Sequence, residues 1–302
     1  MTHLELLNAI LALRFEQPGW PPILKQGGYQ VHGVGVAFKL ADGREVVPDV
    51  LMSSIERGVT LLVEIKGGGS ISHDQAGRLE AVTVEDLRDR AYLPISDITA
   101  EKIGVVFVCG EDQAEGIGEA LSDRAFTVVS FDGTSFKVRG AYLADTPLQE
   151  AWVSAKVDPN APPVQIIPFD KESALPAVAR HVLPALVSIL VRGVAQFGLD
   201  DLLQETHATC LEAMQSTGSG SELGELRHRI RDVLRQAVGN ELSDVLEHLP
   251  TNPAQWGFRI SLPAEQKGKT RMLQSLQKKA SDLVERLGGG ASLQLELFSE
   301  RD

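Results

Sequence analysis

Between Val59 and Lys66 the chain reads Val-Thr-Leu-Leu-Val-Glu-Ile-Lys. A run this apolar cannot belong to a sheet with one wet face, so the strand predicted over Val59 to Ile65 needs covering layers on both sides. Side chains alternate along a strand, which sends Glu64 and Lys66 to one face and Val63 and Ile65 to the other. Two opposite charges at the end of a buried strand need a reason, because a buried ion is costly unless it is paired or bound to a metal.

The flanking segments predict the layers. Leu4, Leu7, Ile10, Leu11 and Phe15 recur at helical spacing behind Thr2 as N-cap, and Pro18-Gly19 ends that helix. Tyr29 to Leu40 alternates like a strand, Asp42-Gly43 is a hairpin turn, and Val46 to Met52 returns as a second strand. After the third strand, Gly67-Gly68-Gly69-Ser70 breaks the chain. A helix is expected from about His73 to Arg90, a strand over Lys102 to Cys109, a helix over Glu111 to Arg124, and strands over Phe126 to Phe131 and Ser135 to Arg139. The order is helix, three strands, helix, strand, helix, strand. It predicts an α/β fold with a central mixed sheet flanked by helices, since hairpin strands are antiparallel and later strands arrive through helical crossovers.

Residues 1–145 are expected to form this domain, followed by a proline-rich linker over 146–170 whose centre, Asp158 to Pro168, holds four prolines. From Lys171 to Leu249 the pattern is helical almost throughout, interrupted at Gly198 and at Gly218-Ser219-Gly220-Ser221. Trp256 to Leu262 reads as a short strand and Lys269 to Leu287 as an amphipathic helix, giving a mostly helical domain over 171–287. Residues 288–302, opened by Gly288-Gly289-Gly290, read as a flexible tail. Hydrophobic residues at 43% and charged residues at 23% are those of a folded chain. Two cysteines far apart, Cys109 and Cys210, cannot build a disulfide framework. The start, Met-Thr-His-Leu-Glu, lacks the basic opening and long apolar run of a signal peptide, and Val182 to Val191 is too short to span a bilayer, so a cytoplasmic protein is expected.

The chemistry gathers around Val47-Pro48-Asp49, fourteen further residues, and Glu64-Ile65-Lys66. Asp49 stands on the returning strand and can reach the face that carries Glu64 and Lys66. Two carboxylates and a backbone carbonyl suit a hard ion such as Mg²⁺. An adjacent lysine can orient or deprotonate water and neutralise charge on a phosphate. Read plainly, Glu-Xaa-Lys is a surface ion pair on an edge strand; Pro-Asp at hairpin distance inside this order of elements argues against that.

This pattern resembles the PD-(D/E)XK nuclease superfamily over roughly the first 145 residues, and the order of elements looks like that family's restriction-endonuclease-like core. The resemblance implies that Asp49, Glu64 and the Ile65 carbonyl bind Mg²⁺, or Mn²⁺ in its place, and that Lys66 serves the attacking water. It also implies an acid from the first helix, for which Glu5 is the first choice and Glu16 the alternative. A glutamine on the helix after the lysine is common in such proteins, and Gln75 stands there; the tyrosine some of them carry four residues later is Leu79 in this chain.

Other features read more plainly. Asp74, beside His73, suits a helix N-terminal cap. His207 and Cys210 read as core residues, because no second pair of ligands lies nearby. The glycines at 67 to 69 are no phosphate loop, and are expected to let the chain turn beside the metal and leave room for nucleic acid.

A formal net charge of −12 is unfavourable for meeting a polyanion, so nucleic-acid contacts are expected from a local patch. Arg259 to Arg286 holds seven basic residues against three acidic ones, a local +4, and Lys267, Lys269, Arg271, Lys278 and Lys279 are the candidate phosphate contacts against the reading of a solvated helix face. In the tail, Gln294-Leu295-Glu296-Leu297-Phe298 resembles the peptide by which bacterial replication and repair proteins bind the sliding clamp. Its partner-binding residues would be Gln294, Leu295, Leu297 and Phe298; a terminal edge strand is the other reading. Together these readings predict a Mg²⁺-dependent nuclease acting on DNA, in repair, replication-linked processing or defence against foreign DNA. A nuclease-like fold kept as a non-catalytic adaptor is the alternative.

Overall fold

Six strands form the central sheet, and they fall within Met1–Ile167, in the first of two units into which the chain divides; the second takes Pro168–Leu211 and the chain from Glu222. The computed structural model describes residues 1–68, 70–93, 95, 101–141, 143–161, 163, 166–208, 211, 220–251 and 253–289, with backbone only at 220–222.

The first helix, α1 (His3–Ala12), starts where expected: Thr2 Oγ1 accepts from the Glu5 amide, and the Glu5 carboxylate accepts from the Thr2 amide, a complete capping box. Leu6, Leu7 and Ile10 are buried, each contributing ~1.5–3 kcal/mol of apolar burial. A short helix α2 (Ile23–Gln26) leads to β1 (Gln30–Val34). The expected Tyr29 to Leu40 strand is split beyond β1 by Gly35, whose φ of +64° turns the chain away. What remains is β2 (Phe38–Lys39), which pairs across the Asp42-Gly43 turn with β3 (Glu45–Val46) as a separate ribbon. The strand that returns to the main sheet is β4 (Val50–Ser54), antiparallel to β5 (Val59–Lys66).

The expected helix over His73 to Arg90 is two helices, α3 (His73–Glu80) and α4 (Val84–Asp89). The break falls where Thr83 and Asp86 build a second capping box, a local signal that overrides the continuing helical period. β6 (Lys102–Gly110), a 3₁₀ turn over Glu111–Gln113, α5 (Ala114–Ala120), β7 (Thr127–Phe131), β8 (Phe136–Gly140) and α6 (Thr146–Ser154) follow. The sheet runs β1-β4-β5-β6-β7-β8. Its β5-β6-β7 centre is parallel and its remaining pairings antiparallel, so it is mixed as the crossovers require.

β5 is buried on both faces. Leu62 shares a core with Leu79, Leu87, Phe107 and Ile117, so α3, α4 and α5 cover its face, while α1 packs on β5 and β6. The described part of the proline-rich segment is pinned to this unit. The Asp158 amide donates to the Gly19 carbonyl at 2.9 Å, Trp20 Nε1 to the Ala161 carbonyl at 2.6 Å, and the Ile167 amide to Asn8 Oδ1 at 2.9 Å. A linker composition here yields a strap, because α1 and its following loop offer it partners.

The second unit is mostly helical: α7 (Leu175–Val191), α8 (Leu199–Thr206), α9 (Gly220–Gly239) and α10 (Gln266–Arg286). It also holds a three-stranded antiparallel sheet, ordered β10-β11-β9, from β9 (Gln196–Gly198), β10 (Leu246–Leu249) and β11 (Gln255–Phe258). Strands of three or four residues are too short to show a period of two, so β9 and β10 vanish into the helical pattern on either side. Among the described residues, no helix is long and apolar enough to cross a membrane.

Candidate active site

The antiparallel register pairs Val50 with Val63, so the next step sets Asp49 opposite Glu64 at the end of β5. Backbone bonds hold Asp49 there from two sides. Its carbonyl accepts from the Gly35 amide at 2.9 Å, and its Oδ2 accepts from the Ile65 amide at 2.6 Å. Asp49 Oδ1 lies 3.2 Å from His3 Nε2 on α1.

Glu64 is 3% exposed. Its Oε1 accepts from Lys66 Nζ at 2.8 Å and from Gln75 Nε2 at 2.7 Å, and Lys66 Nζ also donates to Gln75 Oε1 at 3.1 Å. The three side chains close a ring of hydrogen bonds. Gln75 reaches it because Ser72 caps α3 by accepting from the Gln75 amide, which fixes that residue in the first turn facing the strand end. The other Glu64 oxygen, Oε2, is buried and makes no hydrogen bond with any described residue. Burial foremost, and then the negative charge of Asp49, push the Glu64 carboxyl up to about 7, against the opposing pull of Lys66 and Gln75.

An orphaned carboxylate oxygen beside a second carboxylate is the chemistry of a place that wants a cation. Asp49, Glu64 and the Ile65 carbonyl are hard oxygen donors of the kind Mg²⁺ accepts alongside several waters. Among the described residues, no three His, Cys, Asp or Glu side chains stand together as a ready metal cage.

The expected acids from the first helix are placed elsewhere. Glu5 is spent on the capping box, and two residues along a helix turn by about 200°, so the side of α1 that presents His3 to Asp49 turns Glu5 away. Glu16 lies past the helix end and pairs with Lys25 at 2.7 Å on the surface. His3 is the residue that the sequence pattern did not single out. Its signal was available: His3, Leu7 and Ile10 share one stripe, so a titratable side chain heads a buried face. Gly67 also does something other than leave room for nucleic acid, since a Cβ there would collide with the His3 backbone; the glycine lets α1 approach the end of β5. Asp74 does not cap α3, a task Ser72 performs, and instead faces Arg78 at 3.3 Å in the open. Leu79 is core, which leaves no opening at that position for a tyrosine hydroxyl.

Of the remaining candidates, His207 is a core residue as expected: its ring sits edge-on to Phe169 at 4.5 Å, Nε2 meets the Phe169 carbonyl, and burial pulls it down to about 4. Cys210 and Gly69 lie outside the described residues, as do Gln294, Leu295, Leu297 and Phe298. Lys267, Lys269, Arg271, Lys278 and Lys279 all fall on α10, in the second unit, and Lys279 is engaged with Asp244.

The first unit is thus an α/β layer protein with a paired-carboxylate and lysine cluster at the end of a buried strand. Residues 2–135 match a family model described as the MJECL32 domain. The matched stretch runs from the cap of α1 to the turn between β7 and β8 and includes His3, Asp49, Glu64, Lys66 and Gln75. No curated protein and no solved structure matches the chain.

Proposed function

We propose that the first unit is a Mg²⁺- or Mn²⁺-dependent nuclease that hydrolyses phosphodiester bonds of DNA at Asp49, Glu64 and Lys66. The observation that carries the reading is the buried Oε2 of Glu64 beside Asp49, which has no hydrogen-bond partner among the described residues, with Lys66 and Gln75 occupying the opposite oxygen. A divalent ion bound by these carboxylates and the Ile65 carbonyl supplies Lewis acidity toward the phosphate. Lys66 stays within reach of Glu64 and of the reacting group, where its ammonium can hold the attacking water or offset charge on the phosphate. Gln75 keeps Lys66 and Glu64 in register with each other. His3 orients the second carboxylate from the side of α1. DNA as the substrate comes from the likeness to the PD-(D/E)XK nucleases; repair, replication-linked processing and defence against foreign DNA are the settings it suggests.

The test is cleavage of linear, circular, single-stranded and branched DNA with Mg²⁺ and with Mn²⁺. Asp49→Ala and Glu64→Ala are expected to abolish cleavage and metal binding, and Lys66→Ala to keep metal binding and lose turnover. Wild-type cleavage by the Glu64 variant would sink the mechanism. A second reading, a non-catalytic interaction module, draws on the charge of residues 1–167: fourteen Lys and Arg against twenty-three Asp and Glu, a net −9. Such a surface suits a basic protein better than a polyanion. Titration with Mg²⁺ separates the two, because an adaptor has no need of an ion at Asp49 and Glu64.

A further inference from the structure

The buried side of α10 is Leu273, Leu276, Ala280, Leu283 and Val284, which is the side that packs within the second unit. Lys267, Arg271, Gln274 and Lys278 follow one another at intervals of four, three and four residues, a single ridge along the opposite side, and all four are exposed. Among the described residues, none of the three cations has an ion-pair partner. The other basic residues of the helix behave differently. Lys279 is bound to Asp244, Arg286 is bound to Glu241 and Gln236, and Lys269 lies half-buried beside Pro263 and Leu262.

The helix favours its cations only toward its carboxyl end, where Asp282 stands four residues from both Lys278 and Arg286. The first turn itself holds no acidic residue, the cations crowd the amino-terminal half, and Asp282 and Glu285 sit in the last turns, while Glu265 at the N-cap and Arg286 in the last turn stand at the two ends. Lys267, Lys269 and Arg271 near the amino-terminal end run against the helix dipole, which Glu265 offsets only in part. Lys267 and Arg271 are also like charges four residues apart, which repel. Both effects are small at an exposed site, and an anion laid along the ridge relieves both. At 1.5 Å of rise per residue the ridge is ~16 Å long, and the phosphates of one DNA strand advance by about 3.4 Å each, so it faces about five of them.

We infer that the solvent ridge of α10, formed by Lys267, Arg271 and Lys278 with Gln274 between them, is a docking surface for the phosphodiester backbone of DNA. The inference takes its partner from the nuclease reading, and it narrows five candidate residues to three. It also answers the −9 of the first unit: the chain meets its polyanion through a helix whose charges, six basic and two acidic, are strongly positive. The ridge meets phosphate, so binding should be indifferent to base sequence.

The experiment is fluorescence anisotropy of a short labelled duplex with the full chain across a KCl series, in EDTA so that nothing is cut. The variants are Lys267→Gln/Arg271→Gln/Lys278→Gln and, as a control that removes basic residues from paired positions, Lys279→Gln/Arg286→Gln. The triple variant should weaken binding and flatten the slope of log affinity against log salt by about 0.9 for each phosphate left without its cation, roughly 2 to 3 in all, with the control near wild type. An unchanged slope in the triple variant overturns the inference. So does a wild type that binds no duplex yet cleaves it with Mg²⁺, which leaves the nuclease reading standing. Binding through the ridge without any cleavage does the opposite: it upholds the surface and removes the enzyme. Gel filtration of the same proteins covers the remaining occupant, since loss of a dimer in the triple variant together with an unchanged salt slope assigns the ridge to a second copy of the chain.

Discussion

Replacing Glu64 by glutamine tests the site with no substrate at all. In the metal-free protein the Glu64 carboxyl is pushed from its ordinary 4.5 up to about 7. The folded chain therefore binds that proton more tightly than the unfolded chain does. The contribution to stability is full below about pH 4.5 and is lost as the pH rises through 7. At about 1.4 kcal/mol for each tenfold, the ionised group at pH 8 costs the fold roughly 3 kcal/mol. Solvent screening takes little from this, because the side chain is almost wholly buried, and the attractions of Lys66 and Gln75 are already counted in the raised value. Glutamine resembles the neutral acid in shape and keeps an oxygen for Lys66 Nζ. The variant should therefore melt roughly 6–10 °C above wild type at pH 8 in EDTA, given a few degrees per kcal/mol for a unit of this size. The gap should close near pH 4.5. Mg²⁺ should then raise the melting temperature of the wild type and leave the variant where it was. Thermal melts by circular dichroism at both pH values, with and without the ion, carry the whole comparison. A variant that melts at or below wild type at pH 8 in EDTA would show that the buried carboxylate is under no strain and has no need of a cation.

The acid candidate of α1, Glu5, separates from His3 in the same assays. Glu5→Gln should cost about 1 kcal/mol or less through a weakened cap and leave cleavage intact, whereas His3→Ala should slow cleavage with little change in the melt; equal slowing by both would return Glu5 to the site. For residues 294–298, capture of a purified sliding clamp by the wild type and its loss in Leu297→Ala/Phe298→Ala are expected, with unchanged melting. No capture by the wild type together with a destabilised variant would make the segment a packed strand.

The layer order was legible because β5 is apolar on both faces and β6 and β7 repeat that pattern at crossover distance. The acidic pair and Lys66 were legible because strand alternation alone puts Glu64 and Lys66 on one face. Gln75 is expected only through the resemblance to the PD-(D/E)XK nucleases, because the sequence favours Asp74 as the cap and the residue that aims Gln75 is Ser72. The rest was hidden for local reasons. The break between α3 and α4 depends on a capping box inside a continuous helical period. The fate of Tyr29 to Leu40 depends on a single glycine at positive φ. His3 stayed hidden because a metal site suggests acids first, although the helix wheel excludes Glu5 from the stripe that His3 heads. The strap over α1 reads as a linker because proline content reports stiffness and says nothing of what lies beneath.

Asp49 hangs from a less durable part of the sheet than the strand it serves. The amide that grips its carbonyl belongs to Gly35, just beyond β1, and β1 is an edge strand with a single neighbour. Edges open more readily than centres, by local excursions that cost far less than global unfolding. Glu64 and Lys66 ride on β5, with a neighbour on each side, so the two halves of the cluster have different lifetimes. In amide exchange the Gly35 proton should be lost well before those of β5, each early event marking a moment when the chain is folded but its Asp49 has lost one of its two backbone tethers.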